Sequence, residues 1–177
     1  HSDYPMCTHV KGNDKCKRIA AEMVASRNKA RTVKYFMSVW HAIYKREFLI
    51  QHNIKFCSER VFISEDLISD IDFFSQAKSV VYIPDHFIYY CDNGTSLSRT
   101  FRKDRFDKFV VMYYKILEMM QHYNLPKEHM LSAHKYIIGY SRACIYNFFR
   151  NVYDKKERLD FINSVIDKKE LWQSINK

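Results

Sequence analysis

Glycine and proline are scarce, three of each in 177 residues. So few turn formers exclude a sandwich or barrel of many tight turns and favour long helices with a modest sheet. No apolar run approaches the roughly 18 residues of a membrane span, the longest being Phe109 to Tyr114. The five cysteines, Cys7, Cys16, Cys57, Cys91 and Cys144, are odd in number and contain no C-x-x-C pair. That pattern is neither a disulfide framework nor a zinc module, and reduced thiols in a cytosolic compartment are expected. A Gly-rich phosphate loop and a G-x-S-x-G elbow are both missing, and His129 and His134 lie five apart rather than at the spacing of a helical zinc-protease pair. The start has no signal-peptide pattern and begins at His1 rather than Met, which suggests a processed chain or a fragment.

What is present is aromatic and basic. There are 13 Phe, 13 Tyr and 2 Trp, and 47% of the residues are hydrophobic against 28% charged, enough apolar material to fill a core. The net charge of +9 suits an anionic partner such as nucleic acid, a phosphorylated small molecule or an anionic lipid surface.

Periodicity divides the chain. Residues 1–13 read as an irregular or extended lead, followed by a helix from Asp14 with Ile19, Met23, Ala30 and Val33 on one side and Asn13 or Asp14 as its cap. The alternation through Ser38–Tyr44 predicts a strand buried on both faces, and Lys45 to His52 a short helix ending near Asn53. Ser64 is the expected N-cap of a helix with Leu67, Ile71, Phe74 and Ala77 inward, which puts Glu65 and Asp66 in its first turn. Val80–Ile83 and Phe87–Tyr90 read as two strands joined at Pro84-Asp85-His86, and a polar loop runs from Asp92 to Arg99. Beyond it three amphipathic helices are expected: one carrying Phe106, Phe109, Tyr113 and Leu117, one from about Pro126 to Arg150, and one from Asp154 with Glu157 at capping-box spacing. Trp172 and Phe148 belong to the same expected core. The fold class is thus mixed α/β over residues 1–100 and all-helical over 101–177.

The stretch Val39-Trp-His-Ala-Ile-Tyr-Lys-Arg-Glu-Phe-Leu through Asn53-Ile-Lys-Phe56 resembles the second half of the family-2 glycosyltransferase catalytic domain. Four further landmarks follow in order: Ser64-Glu65-Asp66-Leu67, Ala77-Lys-Ser-Val-Val-Tyr-Ile83, Phe87-Ile-Tyr-Tyr90 and Ser96-Leu-Ser-Arg99. The similarity implies the acceptor-side half of a GT-A-like domain over residues 1–100, with few short strands, and a helical C-terminal extension over 101–177. The chain departs from the family pattern twice. Too few residues precede Trp40 to hold the nucleotide-binding half with its Asp-x-Asp metal motif, and Asp70-Ile71-Asp72 lies inside a helix, so it is not that motif. Cys91-Asp92 stands where many relatives have Arg.

By this resemblance the chain is part of an inverting glycosyltransferase that takes a sugar from a nucleotide-sugar donor to a glycan or lipid-linked acceptor in bacterial capsule or lipopolysaccharide synthesis. Asp66 is then the first choice for the base that deprotonates the acceptor hydroxyl, and Glu65 the second. A helix N-terminus favours the ionised carboxylate that such a base needs, although most acidic first turns merely cap their helix. Arg99, with Ser98 beside it, is placed on the donor phosphates, where a guanidinium fits, and Trp40 on the acceptor side. His41 and His86 are weaker candidates, better read as core and turn. A divalent Mg or Mn is implied for the intact enzyme, with its main ligands outside this chain. The expected setting is the cytoplasm, with room for peripheral contact at the inner face of the membrane, and no specific nucleic-acid partner. The competing reading is a basic helical module for nucleic acid or an anionic membrane surface. Against it, the cations are interspersed with acids, as in Lys155-Lys-Glu-Arg158 and Asp167-Lys-Lys-Glu170, rather than gathered in a block.

Overall fold

A computed structural model describes residues 7–25, 35, 37–83, 85, 87–89, 91 and 100–176. Seven α-helices and one two-stranded antiparallel sheet are found among them. Strand β1 (Thr8–Lys11) leads through Gly12 into α1 (Asn13–Ala25), and α2 (Arg46–Gln51) and α3 (Glu65–Gln76) precede strand β2 (Ser79–Tyr82). The helical remainder comprises α4 (Arg105–His122), α5 (Met130–Asn151), α6 (Lys155–Ile166) and α7 (Lys169–Ile175).

Within the lead expected to be irregular or extended, Thr8–Lys11 is extended and forms a strand. It pairs with β2 in the register Val10 to Val80 and Lys11 to Ser79. Gly12 turns the chain at φ 103°, a backbone angle that side-chain-bearing residues rarely adopt, and its N–H donates to Lys78 O at 2.9 Å. Asn13 is the first residue of α1, and its side-chain amide donates to Ser75 O and Ala77 O at 3.0 and 2.9 Å, tying the start of α1 to the end of α3. Two strand expectations fail. Val39–His41 is a single 3-10 turn followed by extended chain, and Phe87, Ile88 and Tyr89 carry no strand assignment. With four exposed or half-exposed side chains from Trp40 to Ile43, the 38–44 segment packs on α3 by one side only, and the buried-strand reading required both.

Helix ends follow the asparagines. At α2, Asn53 sits at φ 51° with N–H bonds from Asn53 to Ile50 O and from Ile54 to Leu49 O. At α4, Asn124 at φ 50° repeats the arrangement, Leu125 N–H reaching Met120 O at 2.9 Å. Both are Schellman caps that use Asn where Gly is commoner, in a chain with little Gly to spend. Helix α6 begins as its spacing predicts, Asp154 accepting from the Glu157 N–H at 2.7 Å.

The apolar faces meet in one continuous core. Ile19 and Met23 of α1, Leu67 and Ile71 of α3, Phe109 and Ile116 of α4, and Tyr136 and Ile137 of α5 are all buried within it. Phe106, Tyr113 and Phe148 are buried as expected and Leu117 is partly so, but Trp172 is 51% exposed. Trp172 instead lies on the surface of α7 and donates its indole N–H to Ile166 O at 2.7 Å. Helix α7 docks through polar groups: the hydroxyls of Tyr113 and Ser174 both lie 3.0 Å from His134 Nδ1, and Tyr114 donates to Glu170 at 2.6 Å. Among the described residues no helix is long and apolar enough to cross a membrane.

The contrast between Ile137 and Trp172 gives a direct check on this packing. Ile137→Ala leaves a cavity among four helices and lowers unfolding free energy by about 2–5 kcal/mol. Trp172→Ala, losing one hydrogen bond at a wet surface, lowers it by about 1 kcal/mol. Urea unfolding of the two variants measures both, and equal losses would show the register of the C-terminal helices to be wrong.

Candidate functional site

Helix α3 is reached through a turn over residues 58–61, with the Val61 and Phe62 N–H groups donating to Ser58 O at 3.0 and 3.1 Å. Ser64 then takes φ 139° and ψ 46°, and its side chain makes no capping hydrogen bond. Ser64 is thus the N-cap by position, as expected, but it starts the helix through a strained backbone corner whose carbonyl accepts from Leu67 N–H at 2.9 Å rather than through its hydroxyl. This corner delivers Glu65 and Asp66, both half-buried, as the first two residues of the helix.

The 38–44 segment crosses the start of α3. Ser38 Oγ donates to Asp66 Oδ2 at 3.3 Å, and Tyr44 OH donates to Asp70 Oδ1 at 3.2 Å. Between these two anchors the 3-10 turn presents Trp40 and His41, whose rings meet edge to face at 5.4 Å. The Tyr44 ring is held in turn against Phe73 and Phe56, with centroids at 4.8 and 6.1 Å. Trp40, half exposed, thus lies on the segment that Ser38 ties to Asp66. Ser98, Arg99 and His86 lie outside the described residues, as do Ala30 and Val33 of the expected first helix.

Sequence reading missed Asp70, except to discard it as half of an Asp-x-Asp. It lies four residues after Asp66, so both point to one side of α3. It is 2% exposed, and its Oδ2 has no partner among the described residues. A carboxyl among Leu67, Ile71 and Phe74 on the inward face was the available signal, because an acid at a core position needs a reason. Burial pushes the Asp70 carboxyl up to about 7, the nearby Asp66 charge adds to this, and the Tyr44 and Ser38 hydrogen bonds oppose it. Tyr44 is raised well above its usual range, by burial first and then by Asp70. His41 is lowered by burial, partly offset by the attraction of Asp66. Glu65 is raised by burial, against the stabilising backbone N–H groups of the helix start.

Chemically the cluster combines a carboxylate already receiving a hydroxyl hydrogen bond, a second carboxyl that burial raises to about 7, and an imidazole whose pKa burial lowers. Such a set can accept a proton from a bound hydroxyl. It does not amount to a metal centre: among the described residues no three His, Cys, Asp or Glu side chains come together as a ligand group. A surface cleft of about 580 Å³ lies at the opposite end of α3, flanked by Lys17, Lys78, His52 and His122. The acidic cluster and this cleft are therefore separated by the length of the helix.

Two outcomes test this geometry. An unfolded Asp titrates near 3.8, so between about pH 4 and pH 7 the folded chain holds a proton on Asp70 that the unfolded chain has lost. The Asp70 contribution to stability is complete below pH 4 and is lost as pH rises through 7. Urea unfolding of Asp70→Asn shows a smaller fall in stability between pH 5 and pH 8 than the unsubstituted chain, and identical profiles would remove the buried-acid assignment. Ser64→Gly relieves the φ 139° corner and raises stability by about 1 kcal/mol, whereas a loss would mean that the corner is unstrained.

No family model, curated protein or solved structure matches this chain, so its reading rests on the residues themselves.

Proposed function

We propose that this chain is part of a glycosyltransferase that moves a sugar, with inversion, from a nucleotide-sugar donor to a hydroxyl of a glycan or lipid-linked acceptor. One observation carries the reading furthest: Asp66 sits at the start of α3 with Oδ2 receiving a hydroxyl hydrogen bond from Ser38. An acceptor hydroxyl in the place of the Ser38 hydroxyl would be positioned to give up its proton as its oxygen attacks the anomeric carbon, opposite the departing diphosphate. The order of landmarks from Trp40 to Arg99 supports the same class. Trp40, half exposed beside this point, supplies an aromatic face of the kind on which sugar rings stack. Glu65 is the second carboxylate, and Arg99 with Ser98 is the proposed donor-phosphate side.

The residues described do not make a site for Mg or Mn, whose ligands would lie with the nucleotide-binding half. Synthesis of a bacterial surface polysaccharide at the cytoplasmic face of the cell membrane is the proposed setting.

The decisive variants are Asp66→Asn and Glu65→Gln, assayed for sugar transfer in the polypeptide that joins these residues to a nucleotide-binding half. With Asp66 as base, Asp66→Asn lowers turnover by about 10²–10⁴-fold with donor affinity nearly unchanged, and Glu65→Gln does far less. Small and equal effects would return the acidic pair to helix capping, visible as a stability change of about 1 kcal/mol or less.

A further inference from the structure

Helix α5 has 22 residues and no Asp or Glu. One face carries the buried Tyr136, Ile137, Tyr140, Cys144 and Phe148. The outward stripe carries Leu131, Lys135, Arg142, Tyr146, Phe149 and Arg150, spaced by multiples of a helical turn and all exposed. The stripe continues into the α5–α6 elbow, where Tyr153 is 85% exposed. Guanidinium groups lie over these rings: Arg150 at 5.7 Å from the Tyr146 centroid, and Arg158 at 4.9 Å from Phe149 and 5.9 Å from Tyr153. Arg158 also donates to Val152 O and Phe149 O, which fixes the elbow's shape. At the start of α6 the exposed Lys155 and Lys156 outnumber the capping Asp154, and Glu157 pairs with Lys103.

We propose that this outer face of α5 and the elbow after it form a docking surface for a membrane rich in anionic phospholipid. Charge complementarity argues for the occupant: a helix about 33 Å long with cations and no acids faces a plane of negative headgroups. The side chains between those cations are the aromatic and aliphatic kinds that settle at a headgroup–acyl boundary, with guanidinium groups above the ring planes at phosphate level. A nucleic acid fits less well, because a stacking base would compete with the guanidinium group that already lies over one face of each of the three rings. The helix lies along the surface rather than across it. This inference does not depend on the glycosyl-transfer reading, since it uses no residue of the Asp66 cluster.

The test is co-sedimentation of the chain with phosphatidylcholine vesicles, with and without about 30% phosphatidylglycerol, at low and high salt. The chain is expected to partition at least about tenfold better onto the anionic vesicles, and less at high salt. Arg142→Gln with Arg150→Gln is expected to weaken that binding by about 25-fold, roughly fivefold for each charge. Tyr146→Ser with Tyr153→Ser is expected to weaken it at least about fivefold with circular dichroism unchanged. Because both arginines are exposed, the charge pair remains informative if the tyrosine pair unfolds. Equal binding to neutral vesicles, no binding, or full binding by the arginine pair overturns the proposal. So does a single-stranded oligonucleotide that displaces the vesicles and binds the tyrosine pair as well as the parent chain, or self-association that hides this face.

Discussion

Helix α3 has to satisfy three neighbours at once, and most of the described architecture follows from how it does so. Its inward face presents Leu67, Ile68, Ile71 and Phe74 to the common core. Its last turn is stapled to the start of α1 by the Asn13 amide. Its first turns receive the 38–44 segment through Asp66 and Asp70. Burial of those four apolar side chains contributes roughly 6–12 kcal/mol together, far more than any one of the hydrogen bonds, so packing sets where the helix lies and the polar contacts set what is laid across it.

The carboxyl of Asp70 is where these two demands collide. A core would be more stable with an aliphatic side chain there, since one of its oxygens has no partner and its charge is expelled by burial. Buried polar groups that cost stability are often found where a particular arrangement has to be chosen over others. Here the arrangement is the one that holds Tyr44, and with it the Trp40–His41 turn, beside the only other acid on that side of the helix, Asp66.

Much of this was legible from residue patterns, for identifiable reasons. Helices α2 to α6 were visible because their apolar spacing is regular and several of their ends carry local signals, namely Asn53 after α2 and Asn124 after α4 in left-handed geometry and the Asp154–Glu157 box before α6. Glu65 and Asp66 were found because the first turn of a helix is a local feature. The failures are non-local. The extended lead could be foreseen, but not its pairing with β2, which lies almost 70 residues on. The 38–44 alternation mimics a strand, yet its conformation is decided by two carboxyls on a helix more than 20 residues away. Trp172 was assigned to the core on bulk alone, while the polar contacts of Ser174 and Glu170 put the other face of α7 inward. Ser64 has a capping residue's identity and a strained corner's geometry, which no local pattern distinguishes.

The two-stranded ribbon has a kinetic meaning. Its paired residues are far apart along the chain, Lys11 opposite Ser79, and everything from Ser38 to Asp70 lies inside the loop that the pairing closes. Closing so long a loop is entropically slow, and a ribbon of two short strands returns little until the helices behind it are packed. The acidic end of α3 can form early from local contacts, but its crossing partner is confined only when that loop is shut. In refolding, the Ser38–Asp66 and Tyr44–Asp70 contacts should therefore appear with the last phase rather than the first, so that the polar cluster is assembled only on a molecule whose core is already complete.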